Sequence, residues 1–314
     1  MTTINTVTGP MDSADLGFTL MHEHIIVAAA GVYTDYPELL GPDFMENAVK
    51  KLKDTREGGV NTILDATTLD LGRDINLIAE TSRQSGMNVI ACTGWWLDYP
   101  RFFTGVTADQ LAKVFIREVT QGIGGTDIKA GILKSASDIP GVTPEGEIVL
   151  RAIARAHKET NLPIMLHSYS PGRVGLQQLA VMKDEGVAMN RIKMDHSNDT
   201  TDVEYLTMLL DQGCYLGLDR YPGMNTSPMA RTKTMKALID AGFADRLCPS
   251  HDHSAISIDA DNPMMTKEER LERNPHGWLY MKNVVFEWLR EMGVSEDVIG
   301  GLCVNGPRNF FEEI

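Results

Sequence analysis

The sequence predicts an α/β fold, a TIM (β/α)8 barrel forming a single domain over residues 1–314. Three observations lead there. Eight short apolar runs recur along the chain, helix-like segments separate most of them, and the runs are nearly all apolar rather than alternating. Strands covered on both faces by helices read that way. The competing doubly wound sheet normally carries a glycine-rich phosphate turn after its first strand. Here the first run continues into IIVAAAGVYTDYPELLG, with neither G-x-G-x-x-G nor G-K-[ST].

In order, the runs are TLMHEHI (19–25), NTILDA (61–66), NVIACTG (88–94), KAGILKSA (129–136), LPIMLHS (162–168), RIKMDHS (191–197), CYLGLDR (214–220) and RLCPSHDH (246–253). Each has the length of a strand rather than a helix. DFMENAVKKLKDTREGG (43–59) places apolar residues at helical spacing and ends on Gly58 and Gly59, a suitable stop. TPEGEIVLRAIARAHKETN (143–161) sets Thr143 ahead of Pro144, the order of an N-cap and a first helical residue. VEYLTMLLDQG, SPMARTKTMKALIDAG and PHGWLYMKNVVFEWLREMG repeat the helix-then-glycine form.

With 43% hydrophobic and 23% charged residues, the composition is that of a globular protein. A formal net charge of -14 argues against a nucleic-acid partner, which needs a basic patch. No apolar run is long enough to span a bilayer, and the first residues lack the basic and apolar regions of a secretory signal. Cys92, Cys214, Cys248 and Cys303 are scattered, without C-x-x-C spacing. A cytoplasmic, reducing setting is the expectation.

In a TIM barrel, reactive side chains gather at the C-terminal ends of several strands. Those ends carry His22 and His24 on the first run, Lys134 on the fourth, His167 on the fifth and His196 on the sixth. The eighth ends in Ser-His-Asp-His, residues 250–253. Residues i and i+2 of a strand share a face, so His22 and His24 can hold one ion, and Glu23 points away. Asp252 is the natural anionic ligand to the same ion and a candidate base for its water. His167 and His196, on adjacent strands, would serve a second ion. Lys134 poses a charge problem, because a free ammonium beside two divalent cations is repelled. It points elsewhere, pairs with a carboxylate, or is carboxylated by carbon dioxide to an anion able to bridge two metals. Such a site performs hydrolysis at carbonyl or phosphoryl centres.

GPMDSADLGFTLMHEH, AGILKSASD, PGVTPEGE, DEGV, GLDRY, SHD and NGPRNFF occur in that order. On these motifs the chain resembles, over essentially its whole length, the phosphotriesterase family of the amidohydrolase superfamily, including its lactonases and phosphotriesterase-related proteins. The resemblance implies an amidohydrolase-like barrel preceded by a short hairpin at TINTVTGP, usually as a homodimer. It implies two divalent metals, zinc first with cobalt, manganese or iron as alternatives. His22, His24 and Asp252 would hold one ion and His167 and His196 the other, with Lys134 as N6-carboxylysine bridging both. Asp252 and Lys134 would be the catalytic residues, with a bridging hydroxide as nucleophile. The reaction placed first is the opening of a lactone, with promiscuous phosphotriesterase activity. An organophosphate or phosphoester hydrolase, or an amidase on a small N-acyl compound, is the alternative. The partner is thus a small-molecule lactone or ester.

The chain departs from lactonase relatives where they carry an aromatic-loop tyrosine near the metals. TGWWLDYPRFF puts Trp96 there, with Tyr99 as a substitute. Arg220 and His253 are the other candidate substrate-binding residues. Asp195, next to His196, is expected to face away from the ligand direction. Met264, Met265 and Trp278 would supply an apolar wall, and Trp95, Phe102 and Phe103 an exposed aromatic surface.

Overall fold

The computed structural model describes residues 2–103, 105–223, 225–258 and 267–312. Strands β1 (Thr3–Thr6) and β2 (Gly9–Asp12) form the N-terminal hairpin, paired antiparallel from Thr3↔Asp12 to Thr6↔Gly9. The eight expected strands follow as β3 (Thr19–Val27), β4 (Thr62–Asp65), β5 (Asn88–Gly94), β6 (Ile132–Ser137), β7 (Ile164–Ser168), β8 (Ile192–Asp195), β9 (Tyr215–Leu218) and β10 (Leu247–Pro249). Each pairs in parallel with the next from β3 through β10, so the sheet curls in chain order. A ninth strand, β11 (Ser254–Ser257), joins parallel to β3 at the seam. The sequence reading placed no strand there.

Helices cover the outside of this sheet. After the short turn α1 (Val32–Asp35) come α2 (Phe44–Glu57), α3 (Ile75–Ser85), α4 (Ala108–Thr120), α5 (Pro144–Thr160), α6 (Gly175–Asp184), α7 (Val203–Asp211) and α8 (Pro228–Asp240). Thr143 caps α5 by accepting from the Gly146 N–H, and Ser227 caps α8 from Ala230. Short α9 (Lys267–Arg273) is followed by a segment expected as one helix. It is instead a 3-10 turn at Gly277–Leu279, a π-turn at Met281–Val285 and α10 (Phe286–Glu291). His251 Nε2 accepts the Met281 N–H at 3.1 Å, so a side chain from the barrel end takes a main-chain donor where the helix type changes. α11 (Glu296–Leu302) and α12 (Asn305–Glu312) close the chain.

The strand side chains divide between two cores. Ile63, Val89, Leu133, Leu166 and Leu216 pack outward against helix residues such as Leu52, Ile78 and Leu206. Leu64, Ile90, Ile132, Met165, Tyr215 and Cys248 fill the barrel interior. Ile4 of the hairpin and Phe310 and Phe311 of α12 join that inner cluster, closing the N-terminal end. The opposite end is left for polar side chains. All four cysteines are buried and unpaired. Trp95 packs on Phe103 at 4.9 Å and Phe103 is itself buried, so Phe103 adds nothing to an exposed aromatic surface. No helix among the described residues is long and apolar enough to cross a membrane.

Candidate metal centre

The pairing register of β3 shifts between Leu20 and Glu23. Leu20 packs toward the helices, Met21 joins the barrel interior, and His22 and His24 both line the cavity above it. An extra residue that resets strand alternation beside a site is the usual work of a bulge. His24 places Nδ1 2.8 Å from Thr67 Oγ1, leaving Nε2 to face Asp252 Oδ1 at 3.2 Å. His22 Nε2 lies 3.4 Å from the same oxygen. Asp252 reaches them from a left-handed backbone, φ 53°, strained for a residue with a side chain.

The second pair, His167 and His196, is held by outer carboxylates. His167 donates from Nε2 to Asp138 Oδ2 at 2.9 Å, which leaves Nδ1 without a proton. His196 donates from Nδ1 to Asp219 Oδ1 at 2.9 Å, which leaves Nε2 bare. These two nitrogens stand 2.7 Å apart. Carboxylates fixing the far side of each imidazole are the arrangement that commonly supports a metal ligand. Burial, reinforced by Arg220 and His167, also pushes the His196 imidazole well below its ordinary value and keeps it neutral for ligation.

Lys134 lines the same cavity and is buried. Gly94 brings its strand there: at φ 140° it lies so close that a Cβ would meet the Lys134 carbonyl oxygen at 1.8 Å. The ammonium donates to Ala66 O at 2.6 Å, and among the described residues it makes no ion pair. The carboxylate partner considered from sequence is therefore not found there.

Beneath the mouth lies a layer of buried charge. His22 Nδ1 is 3.1 Å from Asp195 Oδ2 and 3.3 Å from Asp219 Oδ2, without hydrogen-bond alignment to either. Burial alone would lower the His22 imidazole, but Asp195, Asp252 and Asp219 raise it to about 9. Two ligand-like groups result: His22 with His196 and Asp252, and His22 with Asp195 and Asp219. They are consistent with a binuclear divalent-metal site. Asp195 does not face away as expected. By strand alternation Asp195 shares the inward face with Lys193, whose Nζ takes up its charge, and φ 60° at His196 turns that ring inward as well. Gly217 makes room, since a Cβ there would sit 2.4 Å from both Asp195 Oδ1 and Asp219 Oδ2.

The cavity measures about 190 Å3 and is lined by the four histidines, Lys134, Asp252, Arg220 and Trp96, with Val27, Leu71 and Ser254. Trp96 donates from Nε1 to His167 Nδ1 at 3.3 Å, while Asp70 accepts its backbone N–H at 3.1 Å and shapes the loop. Tyr99 lies outside the lining: a Cβ on Gly146 of α5 would come within 3.3 Å of its hydroxyl. Arg220 is engaged twice, by Asp252 Oδ2 at 2.9 Å and Asp199 Oδ2 at 2.5 Å. Burial would raise the Asp252 carboxyl, but His22, His196, the His24 hydrogen bond and Arg220 hold it well below the usual range. His253 lines a neighbouring groove rather than this cavity. Met264 and Met265 lie outside the described residues, and Trp278 is buried. Glu23 turns from the cavity and accepts hydrogen bonds from Ser250, His251 and His253. Sequence reasoning missed Asp70, Asp138 and Thr67 as supports. Asp138, two residues past the fourth run, stood where strand-end polar residues were being sought.

The sequence profile of the Phosphotriesterase family matches residues 2–311. A phosphotriesterase homology protein of Mycobacterium tuberculosis is 37% identical, covering 99% of this chain and 98% of that protein. An aryldialkylphosphatase of Saccharolobus solfataricus is 35% identical over 96% of each chain. An N-acetyltaurine hydrolase of Xenopus tropicalis is 24% identical over 98% of this chain and 97% of that one. With the curled parallel sheet, the strand-end histidines and matches over nearly the full length, this chain belongs to the phosphotriesterase family of the amidohydrolase superfamily and is a metal-dependent hydrolase.

Proposed function

We propose that this hydrolase acts on an uncharged ester at phosphorus, a phosphotriester. The observation that carries the reading is the state of Arg220. Held by Asp252 and Asp199, it is not free to neutralise an anionic reacting group, and the rest of the mouth offers Val27, Leu71 and Trp96. The 35% identity to an aryldialkylphosphatase favours phosphorus over carbon as the centre attacked.

His22, His24 and Asp252 would hold one ion, His167 and His196 the other, and Lys134, as N6-carboxylysine, both. Zinc suits the donors, as do cobalt, manganese and iron. Two such ions, when bound, supply Lewis-acid polarisation of the ester oxygen and a water acidic enough to react near neutral pH. Carboxylation of Lys134 turns its unpaired buried cation into an anion among imidazoles. Asp252 turns Oδ1 toward His22 and His24, so Oδ2, oriented by Arg220 Nε, is the oxygen that receives the proton and passes it to the leaving group. Trp96 covers the mouth with an apolar face, and its indole N–H would give up His167 Nδ1 to the ion. A homodimer in a reducing compartment belongs to the same proposal, supported by the family resemblance and the four unpaired thiols.

Lactone opening is the second reading. The cavity of about 190 Å3 accepts a small ring, and a cyclic ester is equally uncharged. Metal-loaded protein assayed with a chromogenic diethyl aryl phosphate, γ- and δ-lactones and N-acyl amino acids separates the two. Higher kcat/KM on the phosphotriester is expected. Efficient lactone opening without phosphotriester turnover overturns the first reading in favour of the second.

A further inference from the structure

At about 190 Å3 the metal cavity is smaller than the ~300–1,000 Å3 of ordinary ligand sites, so much of a substrate must lie beyond it. Through Asp252 and Ser254 it adjoins a groove of about 550 Å3. One wall is the stripe Asp43, Asn47 and Lys51, spaced four apart at the start and along one face of α2. The facing wall is β11.

Lys51 stands at the junction of the two spaces. Its Nζ donates to the carbonyl oxygen of Ser254 at 3.0 Å, and Ser254 lines both. The ammonium lies 5.3 Å from the Trp278 ring centre, and burial lowers it to about 8, with Glu23 opposing. Among the described residues it makes no ion pair. Glu23 already accepts from Ser250, His251 and His253, and Asp43 is two turns away, about 12 Å along the helix. Two of the three ammonium protons remain for a ligand. A partly desolvated cation without a counter-ion is stabilised by a bound anion. The net charge of -14 repels anions at long range, so a preference for one here would be a property of the groove itself.

We propose that this groove holds the part of the substrate remote from the scissile bond, and that Lys51 selects a carboxylate there. The orientation rests on the reading of the adjoining cavity as the hydrolytic centre. The substrate class is then an ester neutral at its reacting centre and negatively charged at its far end.

The test measures binding of 3-(4-hydroxyphenyl)propionate and its methyl ester to metal-loaded protein by calorimetry. A carboxylate preference of about tenfold is expected for the native protein, the scale of one charge-assisted hydrogen bond. Lys51→Met should reduce the ratio to about one, and Lys51→Arg should keep it. Asn47→Asp, on an exposed position, should lower it without altering Lys51. No preference in the native protein, or one unchanged in Lys51→Met and Asn47→Asp, overturns the proposal; the latter result would mean the carboxylate sits on the metals. Turnover of the diethyl phosphotriesters of the same two phenols is followed in parallel. Absent turnover with the binding ratio intact overturns the phosphotriester reading and leaves the carboxylate subsite standing.

Discussion

Replacing Glu23 with glutamine tests how the two halves of the proposed ligand set are held in register. The carboxylate is fully buried. Its Oε1 accepts from Ser250 Oγ at 2.7 Å, the His251 N–H at 3.0 Å and His251 Nδ1 at 2.6 Å; Oε2 accepts from the His253 N–H at 3.1 Å. Glutamine keeps one acceptor oxygen but turns an NH2 group toward the His253 N–H. One bond to a charged acceptor is lost, one partly buried donor is stranded, and the remaining bonds lose their charge. At roughly 1.5–3 kcal/mol for a charged hydrogen bond and roughly 1–3 for a stranded donor, partly overlapping, the expected cost is about 2–4 kcal/mol. Residues 250–253 carry Asp252, so its position against His22 and His24 loosens, and metal affinity should fall about tenfold. Urea unfolding of metal-free protein and calorimetric metal titration measure the two effects. Glu57→Gln, at an exposed site on α2, is the control and should stay within about 0.5 kcal/mol. If Glu23→Gln matches that control in both stability and metal affinity, the proposed staple does not operate.

Lys134→Met should lose turnover beyond the roughly 100-fold typical of an outer metal partner, and native intact mass should show one added carbon dioxide that the variant lacks. An unmodified native mass in bicarbonate buffer would remove carboxylation. Trp96→Phe keeps the apolar face but drops the indole N–H that meets His167 Nδ1 in the metal-free protein; metal content should hold, and kcat/KM on aryl esters should change by less than about fivefold, near 1 kcal/mol. His157 is held below its ordinary value of 6.5, chiefly by burial, with Arg191 adding to it and the bond to Leu162 O opposing. The unfolded chain therefore binds its proton first as pH falls, and stability is lost from about 6.5 downward toward the folded value. His157→Gln should flatten that part of the stability profile between about pH 7.5 and 5.5, and an unchanged slope would assign the loss elsewhere.

The barrel was legible because its strands are covered on both faces. Continuous apolar runs marked the core strands within a few residues, as at TLMHEHI and Thr19–Val27. β11 was not legible, because SAIS owes its pairing to β3, more than two hundred residues earlier. The broken helix at 277–291 was hidden similarly, since its sequence is helical and the His251 acceptor comes from another element. At the site, side-chain chemistry pointed to the strand-end histidines, while backbone geometry escaped. Left-handed φ at His196 is what brings that ring inward beside Asp195, and nothing in DHSND announces it. Tyr99 and Trp96 compete for one loop, and only the contacts of Asp70 decide which ring reaches the histidines.

The seam between the first and last barrel strands bears on how the protein is made. Asp252 N donates to His22 O, and the His253 N–H reaches Glu23 across 230 residues. All but one of the side chains in the proposed ligand set precede residue 200. During synthesis they emerge early, yet the last member arrives only with the closing strand. Contacts of such separation form late, after most of the chain has found its order. The ion shared with His22 and His24 therefore cannot template the nascent barrel through its full ligand set. Full binding of that ion would report a finished chain, and a ribosome stalled before residue 250 would display His22 and His24 without the aspartate that joins them.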